Sequence, residues 1–145
     1  VVGLMCLQVF VNGNKKDYEL LKPYAKKLGS AFQKINFLRD LKSDFTNLGR
    51  VYFPNVDLNR FTEDVKAKIE KDINQDFEDS YEGILQLPKS ARGGVLLAYM
   101  YYKDLFFKIK HTSASRILKE RIRISNSRKI ILMIQCLIKN KFNIF

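Results

Sequence analysis

Between Gly29 and Asp44 the chain sets Gln33, Asn36, Asp40 and Asp44 at helical spacing. At about 100° per residue they fall at roughly 0°, 300°, 340° and 20° around a helix axis, one narrow polar stripe. Ile35, Leu38, Leu41 and Phe45 take other faces. A solvated helix usually pairs each carboxylate with Lys or Arg three or four residues away, worth about 0.2–0.5 kcal/mol per pair. Asp40 has Phe37, Asn36, Ser43 and Asp44 at those positions, and Asp44 has Leu41, Asp40, Asn47 and Leu48. The spacing therefore predicts two like charges left facing each other unneutralised. Two carboxylates one turn apart, with an amide on either side, suit a hard divalent cation that keeps water or phosphate in its remaining positions, which points to magnesium. Such an ion would bridge the aspartates to a diphosphate and lower the barrier to breaking its carbon–oxygen bond. An ordinary acidic helix face is the alternative that spacing leaves open.

The elements that must carry this stripe read as helices throughout. Apolar residues recur at helical spacing almost everywhere, and no alternating β-branched run with a two-residue glycine turn occurs. An apolar helix end over Val1 to Val11 breaks at Asn12-Gly13-Asn14, and Pro23 fits the first turn of a helix carrying Tyr24 to Phe45. That helix is expected to stop near Asn47-Leu48-Gly49. Another starts near Thr62, with Glu63 and Asp64 favourable in its first turn, and its stripe of Val65, Ile69, Ile73, Phe77 and Tyr81 is predicted to face the core. Leu87-Pro88 interrupts the pattern, Ser90 is a reasonable cap for a helix from Ala91 to Ile109, and a last helix runs from about Arg128 to Lys141. No repeat, low-complexity tract or linker divides the 145 residues, which read as one domain segment.

With 46% hydrophobic residues the chain can bury a modest core, which argues against disorder. Its net charge of +11 is unevenly spread: residues 103–145 hold 11 Lys and Arg against 2 acids, so +9 of the excess lies in the last third. Such a block could meet nucleic acid, an anionic membrane surface or a diphosphate. Lys and Arg interrupt every apolar run, including Ile130 to Phe145, so a membrane-spanning segment is not expected. Cys6 and Cys136 sit apart among apolar neighbours, which suggests buried reduced thiols and a cytoplasmic setting. The abrupt apolar start at Val1, without Met or a basic leader, reads as a cut through a helix.

Taken together, Leu28-Gly29 through Asp44, followed by Gly49-Arg50-Val51-Tyr52-Phe53-Pro54, resembles the second aspartate-rich region of phytoene, squalene and dehydrosqualene synthases. Val2-Gly3 with Cys6 upstream, and Leu87-Pro88, Ala91-Arg92, Tyr102 and Glu120 to Ile124 downstream, extend the resemblance over nearly the whole chain. The resemblance implies an all-α, helical-bundle isoprenoid synthase fold, of which these residues form the C-terminal portion. The N-terminal helices with a first aspartate-rich motif are absent. It implies Asn36, Asp40 and Asp44 as magnesium (Mg2+) ligands, with Asp40 and Asp44 catalytic through that metal and Gln33 beside metal and diphosphate. Arg39, Arg50 and Arg121 would hold diphosphate oxygens through their forked donors, and Tyr52 and Tyr102 would border the reaction cavity.

The implied reaction joins two prenyl diphosphates head to head. The motif wording most resembles bacterial phytoene synthases of carotenoid pathways, so two geranylgeranyl diphosphates giving phytoene are expected, with a C30 product from farnesyl diphosphate as the alternative. Because a carbocation must be walled off from water, these residues by themselves are expected to be inactive. A catalytically silent helical scaffold of the same fold is a second class of reading, whose signature would be loss of the metal ligands. Nucleic-acid binding is disfavoured, because the basic residues are interspersed with long apolar ones as in Ile130 to Ile138 and no nucleic-acid module is recognisable. A peripheral membrane contact through the last helix fits that pattern better.

Overall fold

A computed structural model describes the backbone of residues 1–47 and 61–142 and the side chains of residues 1–41 and 61–142. The helices are α1 (Val2–Phe10), α2 (Lys15–Asn47), α3 (Glu63–Gln86), α4 (Lys89–Lys110), α5 (Ala114–Ile117) and α6 (Asn126–Phe142). The expectation of an all-α chain holds, with no strand among the described residues.

Local chemistry explains the boundaries. α1 ends where Asn12 (φ 51°) and Gly13 (φ 74°) enter the left-handed region that stops helices. Asn14 then caps α2, its Oδ1 accepting the N–H groups of Lys16 (3.0 Å) and Asp17 (3.3 Å). The helix thus begins at Lys15 and not at Pro23, which lies inside it, a correction to the sequence reading. The ring removes one interior hydrogen bond, a local loss that packing along the helix outweighs. α3 starts beside Thr62 as expected, and the Thr62 hydroxyl caps it, accepting from the Val65 N–H at 3.4 Å. α4 starts earlier than expected: the Pro88 carbonyl receives Ala91 (3.0 Å) and Arg92 (2.9 Å), which leaves Ser90 inside the helix. Ser125 supplies the first-turn acceptor of α6 at 3.3 Å from the Arg128 N–H.

α2 is the spine: α3 packs along it most extensively, α1, α4 and α5 also rest on it, and α6 rests on α4. Ala31, Ile35, Leu38 and Leu41 of α2 meet Ile69, Ile73 and Phe77 of α3 and Leu105, Phe106 and Ile109 of α4 in one buried cluster. The α3 stripe predicted to face the core does so, with Ile69, Ile73 and Phe77 buried and Val65 and Tyr81 packed at its edge. Phe77 is its centre, with ring centroids of Tyr99, Phe106 and Phe32 at 5.2, 6.0 and 6.4 Å. A smaller cluster of Leu7, Val11, Leu21 and Leu87 lies under α1. Cys136 is buried as expected, and burial pushes its thiol up, but Cys6 is exposed because it lies on the face of α1 turned away from α2.

The α2–α3 seam also carries charge. The Asp76 side chain, 4% exposed, lies between Lys27 at 3.1 Å and Lys34 at 2.6 Å, while Lys27 reaches Asp79 at 3.0 Å and Lys34 pairs with Asp72. Burial opposes the ionised carboxyl of Asp76, but hydrogen bonds from Lys34, Ser30 and Lys27 outweigh it and hold the group below the usual carboxylate value. A lowered folded-state value gives stability that is present above the unfolded value of 3.8 and lost as the pH falls through the folded one. For Lys34, burial pulls the ammonium down, yet Asp72 and Asp76 raise it, so its contribution is complete below 10.5 and lost only in stronger alkali. Asp76→Asn is expected to cost about 2–3 kcal/mol at neutral pH, less than a fully buried pair because both lysines reach solvent. Denaturant melts at pH 7 and pH 3 check this: the gap between the two proteins should narrow in acid, and an unchanged gap would remove the seam's role.

Candidate functional site

α2 presents Asn36, Arg39 and Asp40 toward α4 and toward the segment that follows α5. The Tyr102 hydroxyl of α4 donates to Asn36 Oδ1 at 3.1 Å. Arg39 wraps back onto its neighbour, with its Nη2 at 2.5 Å and its Nε at 3.2 Å from Asp40 Oδ2. Arg121 arrives from the far side, its Nε 2.7 Å from Asp40 Oδ1. Five of the residues singled out in the sequence are therefore brought together: Asn36, Arg39, Asp40, Tyr102 and Arg121. The expectation that Asp40 stands unneutralised is overturned. Its helix offers no basic partner at three or four residues, but a long guanidinium at the adjacent position and a second one from a distant segment both reach it. The Asp40 carboxylate, against the opposing effect of burial, holds the Arg39 guanidinium even more firmly protonated than usual.

Arg121 owes its position to a chain of anchors. Glu63, at the start of α3, accepts the Ala114 N–H at 2.7 Å and so fixes where α5 begins. Lys66, one turn on and buried, pairs with Glu70 at 2.7 Å and donates to the Lys110 carbonyl at 3.1 Å, closing the end of α4. Beyond α5 the chain alternates, with Ile122 and Ile124 buried and Arg121 and Arg123 outward. Lys108 donates to the Arg123 carbonyl at 2.6 Å, which holds this stretch against α4. Arg121 is thus delivered to Asp40 while its side chain remains 49% exposed, open to a ligand on its other side.

Aromatic side chains that the sequence reading did not assign complete the surroundings. Phe32, one turn before Asn36 on α2, stacks on Tyr102 with centroids 4.0 Å apart and planes at 15°. Tyr101 stands edge-on to Tyr102 at 5.6 Å, and Lys129 of α6 lies over the Tyr101 ring at 5.9 Å. The four-residue step from Phe32 to Asn36 was the available signal for Phe32, since it puts both on one helix face. Tyr102 is thus packed at the edge of the core and at the same time hydrogen-bonded to Asn36.

Gln33 is exposed on α2 and lies outside this set of contacts. α2 runs on through residue 44, one turn beyond Asp40, but the Asp44 side chain, like Arg50 and Tyr52, lies outside the described residues. Among the described residues no group of three His, Cys, Asp or Glu forms a metal cluster. The donors present still suit magnesium by their chemistry. Asn36 and Asp40 offer hard oxygens one turn apart, and magnesium is commonly held by one or two carboxylates plus substrate phosphate. Two hollows, one of about 720 Å³ between α3, α4 and α6 and one of about 360 Å³ beside α3, are lined by other residues. No helix among the described residues is long and apolar enough to cross a membrane.

The family described as squalene/phytoene synthase matches residues 1–128. The chain is 29% identical over 122 residues to the 4,4'-diapophytoene synthase of Staphylococcus haemolyticus, covering 73% of this chain and 42% of that protein. It is 39% identical over 59 residues to the phytoene synthases of Mycobacterium bovis and Mycobacterium tuberculosis, covering 41% of this chain and 18% of each of them. The chain thus spans less than half the length of these curated relatives. No solved structure matches at a significant level.

Proposed function

Because this chain belongs to the squalene/phytoene synthase family, we propose that it supplies one half of the diphosphate site of a magnesium-dependent prenyltransferase that joins two geranylgeranyl diphosphates head to head into phytoene. The observation that supports this most is the convergence of Arg39 and Arg121 on Asp40, beside Asn36 and Tyr102. Two guanidinium groups around one carboxylate leave positive charge in excess, the balance a diphosphate would correct.

Asp40 and Asn36, with Asp44, would hold the metal. Bound there with diphosphate, magnesium supplies charge neutralisation of the leaving group as a Lewis acid does. Arg39 and Arg121 then exchange a carboxylate oxygen for a phosphate oxygen, keeping each guanidinium paired before and after the ligand arrives. The Tyr102 hydroxyl keeps the Asn36 amide turned with its oxygen held in place, and the stacked Phe32 and Tyr102 rings offer an aromatic flank to an allylic carbocation. The remaining walls that exclude water belong to the rest of the enzyme.

A C30 product from farnesyl diphosphate is the second reading, favoured by the diapophytoene synthase relative. Hydrocarbon analysis after incubating the intact protein with magnesium and each diphosphate in turn separates the two. Phytoene is the expected product. A C30 hydrocarbon from farnesyl diphosphate moves the assignment to the second reading, and no turnover of either substrate overturns the proposal.

A further inference from the structure

α5 is a four-residue helix whose cap position, Ser113, offers no side-chain bond to its first turn. The acceptor comes from another helix: Glu63 Oε1, 51 residues earlier in the chain, takes the Ala114 N–H at 2.7 Å. One turn along α3, Lys66 grips the other flank of the same connection through the Lys110 carbonyl at 3.1 Å, its ammonium balanced by Glu70 at 2.7 Å. The turn between α4 and α5 is thus held on both sides by the first two turns of α3. The two grips differ in kind. Lys66 is buried and closes a helix end, whereas the Glu63 side chain is 62% exposed, and its hydrogen bond among the described residues goes to the backbone of α5.

What Glu63 sets at Ala114 is carried forward without a break to Arg121. The Ile117 N–H reaches the Ser113 carbonyl at 3.0 Å and the Leu118 N–H the Ala114 carbonyl at 3.2 Å, while those of Lys119 and Glu120 both reach the Arg116 carbonyl at 3.0 Å. The Arg116 side chain closes the same turn onto Glu120. Residues 113–120 therefore form one hydrogen-bonded unit, and Arg121 is the next residue. Burial of Ile117, Ile122 and Ile124 keeps this stretch on the core, but apolar burial is non-directional and tolerates a slide or a roll. Arg121 lies between two directional pins, Glu63 on the Ala114 N–H and Lys108 on the Arg123 carbonyl. Of these, Glu63 bonds to the turn that Arg121 extends. The tolerance at the far end is small: Arg121 Nε lies 2.7 Å from Asp40 Oδ1, and a contact stretched to about 3.6 Å is no longer a hydrogen bond.

We propose that Glu63 is a positioning residue of the candidate site: through the Ala114 N–H it holds Arg121 where the guanidinium can pass from Asp40 to a diphosphate, and it touches neither group itself. This role rests on Arg121 being a diphosphate ligand. A misplacement of about 1 Å in a positioned group can cost up to about 10²-fold. Because Ile117, Ile122 and Ile124 still retain the segment, a smaller loss is expected here.

Calorimetry of the intact protein with magnesium and inorganic diphosphate tests this without turnover. Glu63→Ala is expected to weaken diphosphate binding about fivefold to tenfold, whereas Glu63→Gln, which keeps an acceptor oxygen for the Ala114 N–H, should bind as the unaltered protein does. A merely structural role would not depend on Arg121, so the same change is made in Arg121→Ala, where Glu63→Ala should weaken binding no further. The Glu63 side chain is exposed, so both single variants are expected to fold, and thermal melts check it. Unchanged affinity in Glu63→Ala, equal damage by Glu63→Gln, or a further loss in the Arg121→Ala background each overturns the proposal. So does a Glu63→Ala chain that fails to fold, which would assign Glu63 to the fold alone. The two readings fail differently. Unaltered affinity in Arg121→Ala removes Arg121 from the diphosphate site and the positioning role with it, whereas a weakened Arg121→Ala beside a normal Glu63→Ala removes the positioning role alone.

Discussion

Asp40→Asn in the intact protein is expected to lower turnover of prenyl diphosphates by at least about 10²–10³-fold, the range seen when one preorganised electrostatic group is removed from a reacting site. The substitution keeps the shape and one oxygen but removes the charge that faces two guanidinium groups at 2.5 and 2.7 Å. The accompanying loss of stability should be only about 1–2 kcal/mol, because Arg121 is half-exposed and Arg39 can turn to water. Activity and stability are thus expected to separate widely. Titration with magnesium in the presence of inorganic diphosphate gives an independent reading, with binding weakened in the variant while the thermal melt moves little. A variant that turns over normally would show that the Arg39–Asp40–Arg121 cluster is an ordinary ion-pair network, and the silent scaffold would become the better account.

Gly83→Ala should be the most damaging small substitution in the described core. A Cβ at Gly83 would lie 2.2 Å from the Cβ of Tyr24 and 2.5 Å from its Cγ, so α2 and α3 would have to separate at their tightest crossing. Overpacking of this kind costs about 1–3 kcal/mol where neighbours can adjust, and more where the obstacle is attached directly to a backbone. The upper end, about 3 kcal/mol or beyond, is expected here because the obstructing atom is not the flexible end of a side chain. The geometry also specifies the rescue. Tyr24→Ala keeps the offending Cβ and should restore little, whereas Tyr24→Gly removes it and should restore much of the loss. Denaturant melts of the two double variants test this, and equal melts for Gly83→Ala and the unaltered chain would show that the helices do not cross as closely as described.

Much of the architecture was legible before any coordinates. The 3.6-residue period of Ile69, Ile73 and Phe77 identifies the buried face of α3, and Thr62 marks its start, because a helix must satisfy its first N–H groups locally. Asn36 and Asp40 share a face for the same reason of rotation per residue. Where the reading went astray, a non-local term had outweighed a local one. Pro23 signals a helix start, yet it sits inside α2 because Asn14 caps the helix earlier and burial along its whole length outweighs one missing hydrogen bond. Cys6 was expected inside on hydropathy, but which side of α1 meets α2 depends on the partner and not on the residue.

The polar stripe on α2 with its resemblance to a prenyl synthase motif, the helix order, and the basic, apolar last helix belong to the sequence itself, because each follows from residue type and rotation per residue along one stretch of chain. The company Asp40 keeps does not. Arg121 reaches it only because Glu63 pins the start of α5 and Ile122 and Ile124 bury on either side of Arg123, contacts that join three separate helices. Local periodicity states which side a residue faces, whereas the partner it meets there is set by how whole helices pack, and that information is spread over the entire fold.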